Sequence, residues 1–149
     1  MIAVVQRVDR ASVHVEEPPH EASIESGLLV LLGVEDGDTD AEADWMAGRL
    51  ARLRIIADEH GRMNRSVQDT GGALLVVSQF TLAADTSRGN RPSFVRAADP
   101  AVAESLYERV VDVLRREHDL PVETGLFGGM MKVELVNDGP VTIILRSGE

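Results

Sequence analysis

Ala73-Leu74-Leu75-Val76-Val77-Ser78-Gln79-Phe80-Thr81-Leu82 begins as the most apolar run of the chain and turns polar within a single residue. Opened by Gly71-Gly72 and rich in aliphatic side chains, the run reads as a central strand covered on both faces, and the pattern predicts that it continues from Val77 through Leu82. Ser78, Gln79 and Thr81 then stand where a buried strand should carry none. Polar groups in such a place cost free energy unless something satisfies them, which leaves two readings: neighbouring backbone at a strand end, or a ligand.

Working outward from this run, the N-terminal part is β. Ile2 to Val8 and Ser12 to Glu16 read as strands, Pro18-Pro19 interrupts the pattern, and Leu28 to Val34 forms a further apolar run. From Thr39 to Arg54 the apolar residues Ala43, Met46, Leu50 and Leu53 recur at helical spacing, with Asp38 or Thr39 available to cap the first turn. A short strand near Arg54 to Ala57 leads into a Glu59-His60-Gly61 turn. After the apolar run comes a polar loop, Ala83 to Ala98, long enough to suggest a working role. Asp99-Pro100 predicts an N-cap and a proline at the first helical position, followed by Val102, Leu106, Val110 and Val113 on one face. The chain then returns to β at Val122 to Gly125, at Met131 to Val136, and at Val141 to Arg146 after a turn at Asn137-Asp138-Gly139-Pro140. The predicted architecture is α+β, a sheet layered with two main helices. A length of 149 residues, 44% of them hydrophobic, suits one domain spanning residues 1–149 with a single core.

Composition narrows the chemistry. Cysteine is absent, which excludes disulfides, zinc thiolates and cysteine nucleophiles. No apolar run is long enough to span a membrane and no cleavage signal opens the chain, so a soluble, cytoplasmic protein is expected. The formal charge of −10 disfavours a general nucleic-acid binder. That objection weakens if only a single-stranded RNA end is engaged through local cations and a base pocket. Lys132 is the only lysine, and Arg88, Arg91 and Arg96 fall close together, either as a local basic patch or as partners for an acidic surface.

No G-x-S-x-G, G-x-x-x-x-G-K-[ST] or H-E-x-x-H signature is present. His14, His20, His60 and His118 lack ligand spacing and receive no role. Asp36, Asp38 and Asp40 imitate the start of a calcium loop, but Ala41 and Ala47 occupy the positions of its glycine and bidentate glutamate. No metal and no cofactor is expected. Asp138-Gly139-Pro140 combines a turn signal with a proline that cannot donate to a sheet ladder, which places it at a strand start, an edge or a bulge.

At Ser78-Gln79-Phe80-Thr81-Leu82, at Ala84-Asp85-Thr86 with Arg91-Pro92-Ser93-Phe94, and at Asn137-Asp138-Gly139-Pro140-Val141-Thr142, the chain resembles the D-aminoacyl-tRNA deacylases. Gln6-Arg7, Arg10-Ala11-Ser12-Val13, Gly27 to Val34 and Thr124-Gly125 before Phe127-Gly128 extend the resemblance over essentially the whole chain. It implies a homodimer of barrel-like α+β subunits with sites at the interface. Ser78, Gln79, Phe80 and Thr81 of one subunit would meet Gly139 and Pro140 of the other, with the Gly139–Pro140 bond cis. Arg7 matches a position that holds the Gly-Pro motif in orientation, and Phe127 and Met131 lie where the 3′-terminal adenosine would pack. Leu126 and Met130 stand where relatives often carry polar residues, and the early hairpin around Pro18-Pro19 is longer than expected.

The implied substrate is the ester of a D-amino acid on the 3′ end of tRNA. Its hydrolysis needs a positioned water and stabilisation of the tetrahedral oxyanion. Backbone N–H groups around Gln79 and Phe80 are the expected oxyanion donors, with the ribose 2′-hydroxyl assisting the water. A covalent route through Thr81 is the alternative mechanism and requires an adjacent base. If the Gly139 and Pro140 carbonyls face the α-carbon, an L side chain collides with them and a D side chain does not. Glycine offers nothing to exclude, so glycyl-tRNA, including glycine mischarged on tRNA(Ala), is expected to be hydrolysed. Two alternatives remain: a non-catalytic nucleic-acid-binding dimer of the same fold, and a paralogue that edits L-alanyl-tRNA and holds the Gly-Pro bond trans.

Overall fold

A computed structural model describes residues 1–149. Its framework is β1 (Ile2–Val15), β2 (His20–Ile24), β3 (Gly27–Gly33), α1 (Asp40–Arg52), β4 (Ile56–Ala57), β5 (Met63–Arg65), α2 (Val67–Thr70), β6 (Ala73–Ser78), a 3-10 turn (Phe80–Ala83), α3 (Pro100–Arg116), β7 (Val122–Thr124) and β8 (Lys132–Arg146). The main sheet runs β2-β1-β3-β6-β7, with β8 paired to β1 as well. β1 is thus a single strand where the pattern suggested two. It pairs antiparallel with β3 through Ile2 to Val8, with β2 through Ala11 to Val15, and with β8 along most of its length.

Period-two alternation explains why β6 is buried on both faces. Leu74 and Val76 join the large core beneath α1 and α3, while Leu75 and Val77 join a smaller cluster with Val8, Val13, Ile24 and Leu29. The expectation of a doubly covered strand therefore holds for Ala73 to Val77. It fails beyond Ser78, where the chain leaves the sheet and tightens into the 3-10 turn. With polar side chains at Ser78, Gln79 and Thr81 and an exposed Phe80, the segment brings no apolar face to bury in the ladder.

The helices differ in small ways from expectation. Thr39 caps α1 by a capping box with Glu42, whereas Asp38 takes the N–H of Glu35 on its carboxylate. Pro100 opens α3 as expected, but the Asp99 side chain makes no capping bond, and Val102 is exposed while Ala103, Leu106, Tyr107, Val110 and Leu114 face the core. The Met63–Arg65 strand and the α2 turn are short stretches without periodicity and leave no pattern in the sequence. No helix is long and apolar enough to cross a membrane.

β3 and β6 run parallel and in close contact, from Gly27 opposite Ala73 to Leu32 opposite Ser78. Gly27 makes this approach possible, because a Cβ there would lie 1.9 Å from the Ala73 carbonyl oxygen. Gly27→Ala must push the two strands apart and should lower stability by about 3 kcal/mol in urea denaturation. A loss below about 1 kcal/mol would show that the β3–β6 spacing is not set by this residue.

Candidate functional site

β3, β6 and β7 are mutually parallel, so their carboxyl ends emerge on one side of the sheet. That is the side on which open α/β sheets place ligands. Ser78 ends β6 there, and Gln79 opens the 3-10 turn. The Tyr107 hydroxyl donates to the Val76 carbonyl at 2.7 Å, tying α3 to this end of β6. Burial pushes the Tyr107 phenol up, so it stays a neutral donor throughout the physiological range.

The 3-10 turn rearranges the expected donors. The Gln79 N–H is already given to the Leu32 carbonyl at 2.8 Å and is not free to hold an oxyanion. Phe80 and Thr81 open the turn, so their N–H groups have no acceptor within it, and no other backbone bond in the loops uses them. Gln79 reaches Thr81 through its side chain, its Nε2 donating to the hydroxyl. No histidine, aspartate or glutamate is hydrogen-bonded to Thr81. His14 faces Glu21, His20 meets the Thr124 carbonyl, and His60 lies beside Glu59. Phe80 is 57% exposed and packs edge-on against Phe94, with ring centroids 5.2 Å apart.

Phe127 follows β7 at the same end of the sheet, half-buried with its ring 5.8 Å from Tyr107. Met131 packs against the smaller core cluster beside Gly125, where a Cβ would meet its sulfur at 2.6 Å. Ser78, Gln79, Phe80, Thr81, Phe127 and Met131 therefore gather around the ends of β6 and β7. Leu126 is half-buried and Met130 is 92% exposed.

Gly139 and Pro140 are elsewhere. The segment Asn137 to Pro140 is not a hairpin turn between two strands but an interruption within the continuous strand β8. Gln6 pairs with Thr142 and Val8 with Asn137, so β8 advances five residues while β1 advances two. The excess residues must bulge from the ladder. Gly139 adopts φ +139°, a conformation L side chains rarely take, and its bond to Pro140 is cis, as the resemblance implies. Arg7 grips the bulge. Its Nε donates to the Asp138 carbonyl at 2.9 Å and lies 3.2 Å from the Asp138 carboxylate, while its Nη1 donates to the Ile55 carbonyl at 2.7 Å. The guanidinium therefore clamps the bulge to the segment after α1.

The two motifs do not meet within one chain. Ser78 lies level with Leu32, Ala3 and Leu145, three strand spacings from β8, and the bulge lies four residues further along β1. At about 4.8 Å per strand and about 3.4 Å per residue, the separation along the sheet is about 20 Å. No hydrogen bond joins them.

The family model for D-Tyr-tRNA(Tyr) deacylase matches residues 4–146. A D-aminoacyl-tRNA deacylase of Chlorobaculum parvum is 58% identical over 147 residues, covering 99% of this chain and 98% of the relative. A D-aminoacyl-tRNA deacylase of Stenotrophomonas maltophilia is 55% identical over 146 residues, covering 98% of this chain and 99% of the relative. Among solved structures, the c-Myc DNA Unwinding Element Binding Protein superposes with a TM-score of 0.91 at 40% identity, covering 100% of both chains. A probable eukaryotic D-amino acid tRNA deacylase has the same fold, with a TM-score of 0.82 at 17% identity over 97% of each chain.

The Arg7 clamp can be tested without a substrate. Arg7→Ala removes two charge-assisted hydrogen bonds at a side chain only 14% exposed and should lower stability by about 2 kcal/mol. Amide exchange should accelerate at residues 137–142, and Arg7→Lys should restore little because a single ammonium cannot reproduce the planar fork. Unchanged exchange in Arg7→Ala would mean that the bulge is held by the ladder alone.

Proposed function

The chain belongs to the D-Tyr-tRNA(Tyr) deacylase family, and from that premise we propose that it edits aminoacyl-tRNA by hydrolysing the ester between a D-amino acid and the 3′-terminal ribose. The observation that carries the reading is the separation of its two motifs. Ser78, which leads into the Phe80 and Thr81 donors, and the base of the Gly139–Pro140 bulge are about 20 Å apart along the sheet of one chain, too far to touch one aminoacyl group. A second copy supplies the missing half. The working unit is therefore a homodimer with two composite sites, each built from the 3-10 turn of one subunit and the bulge of the other. The exposed Phe80 supports this, since an aromatic left open beside the donors is a surface for a partner to cover.

In that site the water oxygen attacks the ester carbonyl carbon and the carbonyl electron pair moves to oxygen. The N–H groups of Phe80 and Thr81 hold the oxyanion in place. Collapse breaks the bond to the ribose oxygen, which takes up the proton released by the water through the neighbouring 2′-hydroxyl. Thr81 is not a nucleophile in this scheme. Its hydroxyl has a Gln79 amide as its neighbour and no base to take its proton, so the covalent alternative loses its chemical requirement. Phe127 and Met131 flank the donors and pack the terminal adenosine.

Selection is by exclusion. The Gly139 and Pro140 carbonyls of the second subunit face the α-carbon, so an L side chain points into them and a D side chain points away. Glycine is needed at 139 for the bulge to take this shape: at φ +139° a Cβ would lie 2.8 Å from the Val141 nitrogen and 3.3 Å from Arg7 of the same chain.

A second reading follows from the likeness to the 40% identical c-Myc DNA Unwinding Element Binding Protein. In that reading the dimer binds nucleic acid without turnover, and the formal charge of −10 weighs against it as a general mode.

Purified protein should clear D-Tyr-tRNA and Gly-tRNA and leave L-Tyr-tRNA intact. Thr81→Ala should retain kcat within about tenfold, whereas loss of a catalytic nucleophile would cost several further orders of magnitude. Clearance of D-Tyr-tRNA with Gly-tRNA untouched would replace exclusion by a positive side-chain pocket. No turnover of the D-ester by a folded dimer would leave the binding reading in its place.

A further inference from the structure

The loop between the 3-10 turn and α3 is the part of this acidic protein that departs most from its charge. From Thr86 to Ala98 it carries Arg88, Arg91 and Arg96 and no acidic residue, in a chain of formal charge −10. It is also built. Asp85 and Ser93 exchange both backbone hydrogen bonds, at 2.8 and 2.9 Å, closing a small hairpin. The Asp85 carboxylate accepts the Ser87 N–H at 2.9 Å, and that bond holds its carboxyl below the usual range. The returning limb is stitched to the end of β3, with the Asp36 N–H on the Arg96 carbonyl at 2.7 Å and the Ala98 N–H on the Val34 carbonyl at 3.1 Å. Phe94 anchors the same limb on Phe80.

The three arginines are not equivalent. Arg96 lies 3.8 Å from the Asp85 carboxylate. Arg88 and Arg91 make no ion pair and no hydrogen bond and are exposed at the hairpin tip. Arg91 is three residues from Phe94, hence within about 11 Å of it along the chain. Two unpaired guanidinium groups are thus carried on an arm that is closed at its base by the Asp85–Ser93 bridge and touches Phe80, one of the proposed oxyanion donors.

We propose that Arg88 and Arg91 bind the phosphodiester backbone of the 3′ end of tRNA, just upstream of the terminal adenosine. This rests on the deacylase reading and supplies what that reading lacks, a means for an acidic body to hold a polyanion. Local attraction suffices because the Debye length at physiological salt is about 8 Å, which screens the distant carboxylates from phosphates lying on the arm. Guanidinium forks suit phosphate oxygens by bidentate geometry.

The test uses equilibrium binding of uncharged tRNA to the full-length protein between about 50 and 200 mM salt, which requires no turnover. Arg88→Ala/Arg91→Ala should weaken binding about tenfold and flatten the slope of log K against log salt by about 1.4, two contacts to single-stranded RNA. Arg88→Lys/Arg91→Lys should keep most of the slope, since charge rather than loop shape sets it. Arg116→Ala, an exposed arginine at the end of α3, should leave the slope unchanged. An unaltered slope in the double alanine variant overturns the proposal, as does an equal flattening in Arg116→Ala. Hydrolysis of D-Tyr-tRNA by the wild type reads the deacylase assignment separately, so failure of one does not pass for failure of the other.

Discussion

The ladder between β1 and β8 must hold more residues on one side than on the other. Between the pairs Gln6–Thr142 and Val8–Asn137 the surplus lies on β8, and it has nowhere to go but out of the sheet. β1 cannot yield to absorb it, because its opposite edge is occupied by β3 through the same residues. The outcome is a protruding Gly-Pro segment whose direction is fixed by Arg7, reaching from the middle of β1 to Asp138 and Ile55. A mobile loop in this place would present its carbonyls in many directions. A clamped bulge presents them in one, which is what exclusion of one stereoisomer requires.

The opposite end of the sheet provides the complementary half. Parallel strands bring the ends of β3, β6 and β7 to one side, and the chain turns sharply after Ser78 and leaves two N–H groups without acceptors. In the proposed homodimer, distance divides the labour between subunits: each chain would bring the donors of one site and the exclusion surface of the other. Such composite sites would make activity depend on assembly, with the exposed aromatic ring of Phe80 serving the interface and the reaction together.

Much of this was legible in the sequence, and the misses have physical causes. The buried strand Ala73 to Val77 announced itself by unbroken hydrophobicity, and both long helices by their spacing and caps. The segment after Ser78 was misjudged because the residue pattern marks no break in the strand, while whether the backbone continues a ladder depends on what lies opposite: the Gln79 N–H still finds the Leu32 carbonyl, and after it the chain turns into the 3-10 turn. The Asn137 to Pro140 segment has the composition of a hairpin turn, while Pro140 left a bulge open beside a strand start or an edge. The register with β1 decides for a bulge inside a single strand. Arg7 was placed by resemblance alone, since nothing in its neighbourhood in sequence says that its side chain crosses to Asp138 and Ile55.

The composite site can be tested most directly by cross-linking, and a chain without cysteine makes the test clean. Thr81→Cys and Asp138→Cys, prepared separately, are unfolded, mixed, refolded together and treated with a short bismaleimide. If the 3-10 turn of one subunit faces the bulge of the other, the mixture yields a covalent heterodimer that neither variant forms alone. If both cysteines react fully with a monofunctional maleimide and the mixture still gives no covalent heterodimer, the two motifs do not share a site.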